Sequence, residues 1–409
     1  MKLKIKQLCI LLVVLVLSFL TACSKLEDIS SDESTTAASN TPSDTAAETP
    51  TVVTSEPLGQ QSDPSPTSNK EELDGYIKPY DDIRAVFDKK GIFSENEYRA
   101  DDIVTFTFNE GTILEGNEKL QDEVMNNGKN PGLGIRELHE EGITGKGINV
   151  AIIDHNLLLH HPEFDGKIAG YYDTGCLQGA NSGSMHAPAV TSILVGNTIG
   201  VAPDARVYFA AAPSWNEDSE FYANGLYWII EENKKLPKGD KIRVVSVSAA
   251  PSGEGSPFTK NLNMWDEAVL AAQEEGILVL DCRTDKETGI IAPAYYNPEN
   301  PNDVSMCTGG YPTSTFVVPS SHIGVPTSYR TVAEEYVEGS PSYQYTGQGG
   351  LSWGIPYAAG VLALGWQINP TLDNAQIVQI LFETCSIAHD GSNIINPIAF
   401  IDTIKKTRK

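Results

Sequence analysis

The chain has 409 residues, 40% of them hydrophobic, and a formal net charge of −25 at pH 7. This length and composition allow one large domain, or two small ones, with a substantial core. The acidic balance argues against nucleic acid as a partner, because a surface that binds phosphates needs a basic face.

The N-terminus has the anatomy of an export signal. Lysines at three of the first six positions precede an apolar run over 8–20. This run is shorter than the roughly 20 apolar residues that a transmembrane helix needs. Residues 20–23, Leu-Thr-Ala-Cys, resemble a bacterial lipobox, which implies cleavage before Cys23 and acylation of its sulfur. We therefore expect a signal peptide over 1–22 and an extracytoplasmic protein anchored to the bacterial cell membrane by lipid on Cys23. The alternative is a plain signal peptide with an incidental cysteine.

Two segments follow before the main domain. Residues 23–69 are dominated by Ser, Thr, Ala, Pro, Asp and Glu, and we expect a disordered tether because such a composition cannot bury enough apolar area. Residues 70–130 give mixed signals, with a helical pattern over 80–87 and strand-like alternation over 103–108. This N-terminal extension is either a pro-region that covers a cleft or a decoration on the main domain.

From residue 131 to the C-terminus, short apolar runs alternate with amphipathic segments. The predicted strands cover 148–153, 207–211, 244–248 and 277–280, and the predicted helices cover 135–141, 219–232, 262–275 and 357–368. This alternation predicts an α/β fold in which a mainly parallel sheet is covered by helices on both faces. Ligands bind at the carboxyl ends of the strands in such sheets, and Asp154 follows the first of these strands.

Two further segments carry residue types suited to nucleophilic catalysis. His186 enters a run of small and apolar residues that has Pro188 in its first turn. Ser352 lies between glycines just ahead of Pro356 and an apolar helix, where unpaired N–H groups and the helix dipole favour a nucleophile. Taken singly, each is as well explained by a helix cap. Together with Asp154 they follow the chain order Asp, His, Ser.

The residues that flank Asp154, His186 and Ser352 narrow the comparison to one family. The segment 138–154 resembles the aspartate motif of the subtilisin-like serine peptidases, the subtilases, and 161–164, His-Pro-Glu-Phe, resembles the segment that follows it. Residues 185–196 with Gly-Val-Ala-Pro at 200–203 are similar to the histidine motif of the family, and 350–360 to its serine motif. The resemblance implies a three-layer subtilisin-like fold and a serine endopeptidase.

The resemblance also implies residue roles. Ser352 would be the nucleophile, His186 the general base and Asp154 the group that orients His186. The segment at Ser248, Ala249 and Ala250 would line the substrate, whose extended backbone pairs with it as an added strand. The expected partner is a peptide or protein substrate, and we expect a monomer.

The chain departs from the family at the oxyanion position. Subtilases usually supply an asparagine side chain there, but the corresponding site falls near Asp285. Either Thr284 or Arg283 supplies the donor, or Asp285 is protonated, or the enzyme is slow. One rival interpretation is therefore a catalytically weak or inactive subtilase fold that serves as a peptide-binding or signalling lipoprotein. Another is a structural surface protein whose triad match is coincidental.

Smaller departures concern backbone details and metals. His155 and Asn156 replace the small residue and glycine that usually follow the aspartate, and Ala187 and Pro188 replace a customary glycine and threonine. The loop that binds calcium in some relatives is reduced to 197–199, so we expect no calcium there.

No cofactor or other metal is expected either. We interpret four further histidines as surface or packing residues: His155, His160, His161 and His389. One disulfide is possible among the cysteines beyond residue 23, but buried free thiols are the expectation at such wide spacing. These cysteines are Cys176, Cys282, Cys307 and Cys385.

Overall fold

A computed structural model describes residues 77–85, 91–93, 96–176, 183–283, 289–314 and 317–408. All of them belong to one of the two units into which the chain divides, Leu58–Lys409. The expected signal peptide, the tether and the acylation site at Cys23 lie outside the described residues, so they stay predictions. None of the described helices has the length and apolar character that a membrane crossing requires.

Strands and helices alternate along much of the described chain. The strands are β1 (Gly91–Phe93), β2 (Phe108–Asn109), β3 (Thr112–Leu114), β4 (Asn149–Asp154), β5 (Ile168–Asp173), β6 (Arg206–Ala211), β7 (Ile242–Val247), β8 (Leu278–Asp281), β9 (Ile291–Tyr295), β10 (Thr308–Gly309), β11 (Ile323–Pro326), β12 (Arg330–Glu334), β13 (Ser342–Thr346), β14 (Ser386–Ile387) and β15 (Asn393–Ile394). The helices are α1 (Ala100–Ile103), α2 (Glu118–Asn127), α3 (Ile135–Glu140), α4 (His186–Val195), α5 (Ser219–Lys235), α6 (Leu262–Glu274), α7 (Gly354–Ile368), α8 (Asn374–Glu383) and α9 (Pro397–Thr407).

Five parallel strands form a central sheet in the order β5-β6-β4-β7-β8. All six residues of β4 are buried, and successive side chains point to opposite faces. Ile152 packs in one apolar cluster with residues of α4 and α7, whereas Ile153 packs in a second cluster with residues of α5 and α6. Helices therefore cover both faces of the sheet, which confirms the predicted three-layer α/β fold.

Helix α7 packs between two sheets. It contacts β7 of the central sheet and also β9 and β11 of a second sheet, whose strand order is β10-β9-β11-β15-β14. Its residues from Gly354 to Trp366 are all buried, as expected for a helix that is apolar on every side. The packing fixes the position of the turn that precedes this helix, and that turn carries Ser352.

The extension before residue 131 joins the same structure. Strand β2 adds to the hairpin of β12 and β13 and makes a three-stranded antiparallel sheet. The side chains of Ile103, Phe106 and Phe108 are fully buried in the larger apolar cluster. The ring of Phe108 stacks on that of Tyr345, with 5.2 Å between their centroids.

Two local predictions in this extension are wrong. The predicted helix over 80–87 is absent where the structure describes it, because the backbone near Asp82 bridges to Thr107 through long-range hydrogen bonds. The predicted strand over 103–108 is a short helix followed by a turn, and only Phe108 lies in a strand. Polar groups of Asp102 cap that helix and hold the turn, so local hydrogen bonds override the alternation.

His161 is buried in its neutral form. Its Nε2 donates to the carbonyl oxygen of Ser342 at 3.0 Å, and its Nδ1 accepts from the backbone N–H of Glu163 at 3.2 Å. Burial lowers the pKa of His161 from its ordinary value of 6.5, and nearby Glu335 and Glu163 only partly oppose that effect. Protonation at Nδ1 would also break the bond to the Glu163 N–H.

We therefore predict that the free energy of unfolding falls as the pH drops below about 6.5, because the unfolded chain then binds a proton that the folded chain excludes. The variant His161→Gln should be less stable at neutral pH but should lose less stability between about pH 7 and about pH 5. Urea unfolding at a series of pH values measures both effects. An unchanged pH dependence in the variant would contradict this role.

Candidate active site

The three predicted catalytic residues lie at the ends of elements that meet at one rim of the central sheet. Asp154 is the last residue of β4, and His186 is the first residue of α4. Ser352 lies in a 3₁₀ turn, Leu351–Trp353, that leads directly into α7. All three side chains line the same cavity, although Ser352 is 198 residues (352 − 154) from Asp154 in sequence.

Asp154 and His186 are in direct contact. The Nδ1 atom of His186 is 2.8 Å from Oδ1 and 3.0 Å from Oδ2 of Asp154, and Oδ1 also accepts from the backbone N–H of His155 at 2.8 Å. The exposed fractions of the two side chains are only 3% for Asp154 and 12% for His186. Because a carboxylate only accepts, this contact puts the proton of a neutral imidazole on Nδ1 and leaves Nε2 as an acceptor.

A reciprocal pair of hydrogen bonds holds Ser352. Its hydroxyl donates to the carbonyl oxygen of Ser248 at 3.2 Å, and the hydroxyl of Ser248 donates to the carbonyl oxygen of Ser352 at 2.8 Å. The ring of Trp353 lies against His186, with 5.3 Å between centroids. Cys282 also lines the cavity; burial raises the pKa of its thiol, and a hydrogen bond with Ser352 opposes this rise.

The cavity has a volume of about 740 Å³, and for description we group part of its lining into two sets that we call walls. We call one the 248 wall; it comprises Trp215, Ser248, Ala249, Ala250, Pro257 and Phe258. We call the other the N-terminal wall; it comprises Tyr80, Asp82, Arg84, Thr107, Met185 and Gln344. The predicted substrate-binding residues therefore border the cavity, and residues of the N-terminal extension border it as well.

The carbonyls of the predicted substrate-binding residues already have partners. Ala249 accepts from the backbone N–H of Cys282, and Ala250 accepts from the hydroxyl of Ser256. A carbonyl oxygen has a second lone pair, so these bonds leave room for one more donor. Pairing with an extended peptide stays a prediction that the geometry allows.

Of the three residues considered for the oxyanion donor, only Arg283 is among the described residues. Thr284 and Asp285 lie outside the described residues, and their predicted role stays untested. The guanidinium of Arg283 is bound to the carboxylates of Asp281 and Asp266, each at 2.8 Å, and it is absent from the cavity lining. These two contacts hold the guanidinium between carboxylates, which disfavours it as the donor.

Sequence reasoning missed several residues of the cavity. His155, which we interpreted as a surface or packing histidine, packs between Trp215 and His186 with ring centroids 5.3 and 5.6 Å away. Its Nε2 is 2.6 Å from the hydroxyl of Ser214. The signal that could have found it is its departure from the small residue that the family usually has beside the aspartate.

The described residues contain no group of acidic, histidine and cysteine side chains suited to a metal ion. The four cysteines in the described part of the chain beyond residue 23 are free thiols. In the shortened loop at 197–199, the carboxylate of Glu163 accepts from both the backbone N–H and the hydroxyl of Thr198, at 2.9 and 2.6 Å. A buried protein carboxylate thus holds this turn.

The subtilase family model matches residues 145–397. The chain belongs to the subtilase family. It is similar to Subtilisin NAT of Bacillus subtilis subsp. natto, with 24% identity over 272 residues that cover 63% of this chain and 67% of that protein. It is also similar to the M-protease of Shouchella clausii (strain KSM-K16), with 26% identity over 271 residues that cover 63% of this chain and 65% of that protein, slightly less than two thirds.

Among solved structures, the chain is similar to one described by its title as the structural basis of subtilase cytotoxin SubAB assembly. That match has a TM-score of 0.51 and 14% identity, and it covers 68% of this chain and 96% of that chain. At this identity the likeness shows the fold alone. The family assignment makes the matched domain a serine-type endopeptidase, whose substrates as a class are peptides or proteins.

The reciprocal bonds at Ser352 predict the effect of Ser248→Ala. The variant should lower the free energy of unfolding by about 1 kcal/mol, since the partly buried carbonyl of Ser352 loses its donor. We also expect it to slow labelling by a fluorophosphonate probe by about tenfold, because about 1.4 kcal/mol of lost positioning corresponds to that factor. Ser256→Ala, which removes a bond to the neighbouring Ala250 carbonyl, is the matched control and should label at the normal rate. Equal labelling of the two variants would contradict the positioning role of Ser248.

Proposed function

We propose that the protein hydrolyses peptide bonds through a covalent acyl-enzyme, with Ser352 as nucleophile, His186 as general base and Asp154 as the group that orients His186. The observation that carries the proposal is the two-oxygen contact between Asp154 and Nδ1 of His186, at the edge of a cavity that Ser352 also lines. A base that is itself oriented by a third group is the arrangement that acyl transfer to a serine requires.

The first half of the reaction forms the acyl-enzyme. The hydroxyl of Ser352 rotates from the carbonyl of Ser248 towards Nε2 of His186, a change between staggered rotamers that substrate binding can drive. Nε2 takes the proton as Oγ attacks the carbonyl carbon, and the tetrahedral intermediate carries the negative charge on its oxygen. The C–N bond then breaks, and His186 returns the proton to the leaving amine.

The second half repeats these steps with water. His186 takes a proton from the water as its oxygen attacks the acyl carbon, and it returns that proton to Oγ of Ser352 as the ester bond breaks. Throughout, Asp154 stabilises the imidazolium that forms on His186. The reaction yields a carboxylic acid and regenerates the Ser352 hydroxyl. His186 is neutral again, so the catalytic groups return to their starting protonation states.

The oxyanion needs hydrogen-bond donors. We assign one to the backbone N–H of Ser352, which lies where the 3₁₀ turn leads into α7 and the helix dipole is positive. The second donor would come from the segment after Asp281, where Thr284 and Asp285 are the candidates. Without an asparagine there, turnover is expected to be lower by about 10²–10³ than with one, the loss that follows removal of this donor from a subtilisin.

Triad variants test this mechanism. Ser352→Ala or His186→Ala should lower kcat by about 10⁶-fold, the size of loss measured when the nucleophile or base of a subtilisin is removed. Asp154→Asn should lower it by about 10⁴-fold, the loss known for a serine protease of another fold. A fluorophosphonate probe should label Ser352 in the folded wild-type chain and in neither alanine variant.

If well-folded wild-type protein neither takes the label nor cleaves unfolded casein, the proposed hydrolysis is wrong. The departure at Asp285 would then indicate a fold that binds peptides without cutting them. Thermal unfolding of each variant serves as the control, since a variant that unfolds would lose labelling for an unrelated reason.

We also propose that the mature protein is an extracytoplasmic monomer held to the bacterial cell membrane by lipid on Cys23. The support is the sequence at 20–23 and the tether composition at 23–69, which suit a domain held away from a surface. In Triton X-114 partitioning of bacterial extracts, the wild-type protein should enter the detergent phase and Cys23→Ala should not. Wild-type protein in the aqueous phase would contradict the anchor.

A further inference from the structure

We propose that Tyr80 is a specificity-determining residue for the substrate on the leaving-group side of the scissile bond, and that the extension carrying it stays in the mature enzyme. This inference rests on the proposed function, and it assigns to residues 77–130 a part in the substrate cleft rather than that of a removable cover.

The extension is bound to the domain by hydrogen bonds that a removable segment would leave unpaired. Strand β2 pairs with β13, and the backbone of Gly128 accepts from the N–H of Thr331 at 2.8 Å. The fully buried hydroxyl of Thr331 donates to the carbonyl of Met125 at 2.6 Å. Loss of the extension would expose the buried ring of Tyr345 and leave these buried groups without partners.

The N-terminal wall connects directly to the catalytic histidine. The guanidinium of Arg84 donates to Oε1 of Gln344 at 2.6 Å, and Nε2 of Gln344 contacts the sulfur of Met185 at 3.0 Å. Met185 is the residue before His186. These contacts therefore lead from the extension to the residue beside the proposed base.

Proton transfer decides which part of a substrate this wall meets. The imidazole that takes the Ser352 proton must return it to the leaving amine, so the leaving group lies on the His186 side of the scissile carbonyl. Ser352 is hydrogen bonded to Ser248, which belongs to the 248 wall. The N-terminal wall continues beyond His186 through Met185, which puts it along the leaving-group half of the substrate.

Of the described side chains that the extension contributes to this wall, Tyr80 is the one available for contact. Arg84 and Asp82 form a salt bridge of 2.7 Å, with side-chain exposures of only 2% and 14%, and Thr107 is buried. Tyr80 is half-buried. Because the salt bridge neutralises the two charges, an aromatic ring is the main surface that the extension offers to a substrate, and this suits a bulky apolar side chain.

Tyr80 is also held in a costly conformation. Its φ is +69°, in the left-handed region that bulky residues rarely occupy. Its hydroxyl is hydrogen bonded to that of Tyr329 at 3.0 Å, and Tyr329 itself has a φ of +58°. Strain of this kind persists where surrounding structure imposes it, and it is concentrated at binding and catalytic sites. Here it fixes an aromatic ring at the edge of a catalytic cavity.

The experiment compares cleavage of a randomised peptide library by the full-length wild-type chain, Tyr80→Ala, Tyr80→Phe and Lys78→Ala, with cleavage sites read by mass spectrometry. Wild type should prefer a bulky apolar residue at the first or second position after the cut. Tyr80→Ala should reduce that preference by about tenfold, the usual effect of losing one apolar contact in a pocket, and should keep the preference before the cut. Lys78 is exposed on the same segment and does not line the cavity, so Lys78→Ala should keep both preferences.

The variant Tyr80→Phe distinguishes a ring that contacts the substrate from a hydroxyl that only supports the local structure. It keeps the ring but loses the hydroxyl bond to Tyr329, so it should retain the wild-type preference if the ring contacts substrate. If Tyr80→Phe and Tyr80→Ala lose the preference equally, the residue acts only through its hydroxyl and the inference is wrong. A wild-type profile with no preference after the cut, or a Tyr80→Ala profile identical to wild type, would overturn it as well.

Intact-mass analysis of the fluorophosphonate-labelled protein tests retention of the extension. The labelled chain should contain residues 77–130, and a labelled chain that begins after residue 130 would overturn the inference while leaving the proposed hydrolysis intact. A wild-type chain that neither takes the label nor cleaves any library peptide defeats the proposed function, and this inference falls with it. The two failures are thus distinguished by whether the wild type is labelled.

Discussion

A carboxylate buried at the end of a strand is the constraint on which the site depends. Asp154 is 2% exposed, and an ionised side chain is stable there only if its oxygens accept hydrogen bonds. The backbone N–H of His155 and Nδ1 of His186 supply them. The rest of α4 after His186 is buried, so its packing sets the rotation of the helix and with it the direction of the imidazole. A shift of that helix would leave both a void and a carboxylate without the Nδ1 donor of His186.

The cleft combines parts of the chain that are far apart in sequence. Most of the 248 wall follows β7 of the central sheet, whereas most of the N-terminal wall comes from the extension and from β13. Separate hydrogen bonds stabilise the two walls. The hydroxyl of Ser256 donates to the carbonyl of Ala250 in the 248 wall, and the guanidinium of Arg84 donates to Gln344 in the N-terminal wall. The central sheet and the helices packed on it therefore position the three proposed catalytic residues, and more peripheral segments shape the cavity beside them.

Sequence patterns predicted the elements whose side chains repeat regularly. The strand that ends at Asp154 and the helix that begins at His186 were predictable because buried parallel strands and their covering helices leave apolar runs of typical length. Strand β5 was missed because it is an edge strand with no fully buried residue, so its sequence carries no strong apolar signal.

The details of the site were less predictable. They depend on contacts between residues far apart in sequence. The hydroxyl of Ser352 donates to the carbonyl of Ser248, 104 residues away, and the hydroxyl of Tyr80 is hydrogen bonded to that of Tyr329, 249 residues away. Patterns within a short stretch of sequence carry no information about contacts over such distances. The alternation at 103–108 failed for a related reason, since a cap at Asp102 and contacts with β13 together fix that segment.

The pairing of β2 with β13 has a consequence for biosynthesis. These strands are more than 230 residues apart, as the bond from Gly347 to Thr107 illustrates with its separation of 240 residues. A chain that emerges from its N-terminus must therefore leave the partner edge of β2 open until nearly the whole domain has been made, and such distant pairings form slowly. The proposed nucleophile, Ser352, follows β13 directly in the chain. The proposed triad is therefore incomplete until Ser352 has been made, and the pairing of β2 with β13 becomes possible only a few residues earlier.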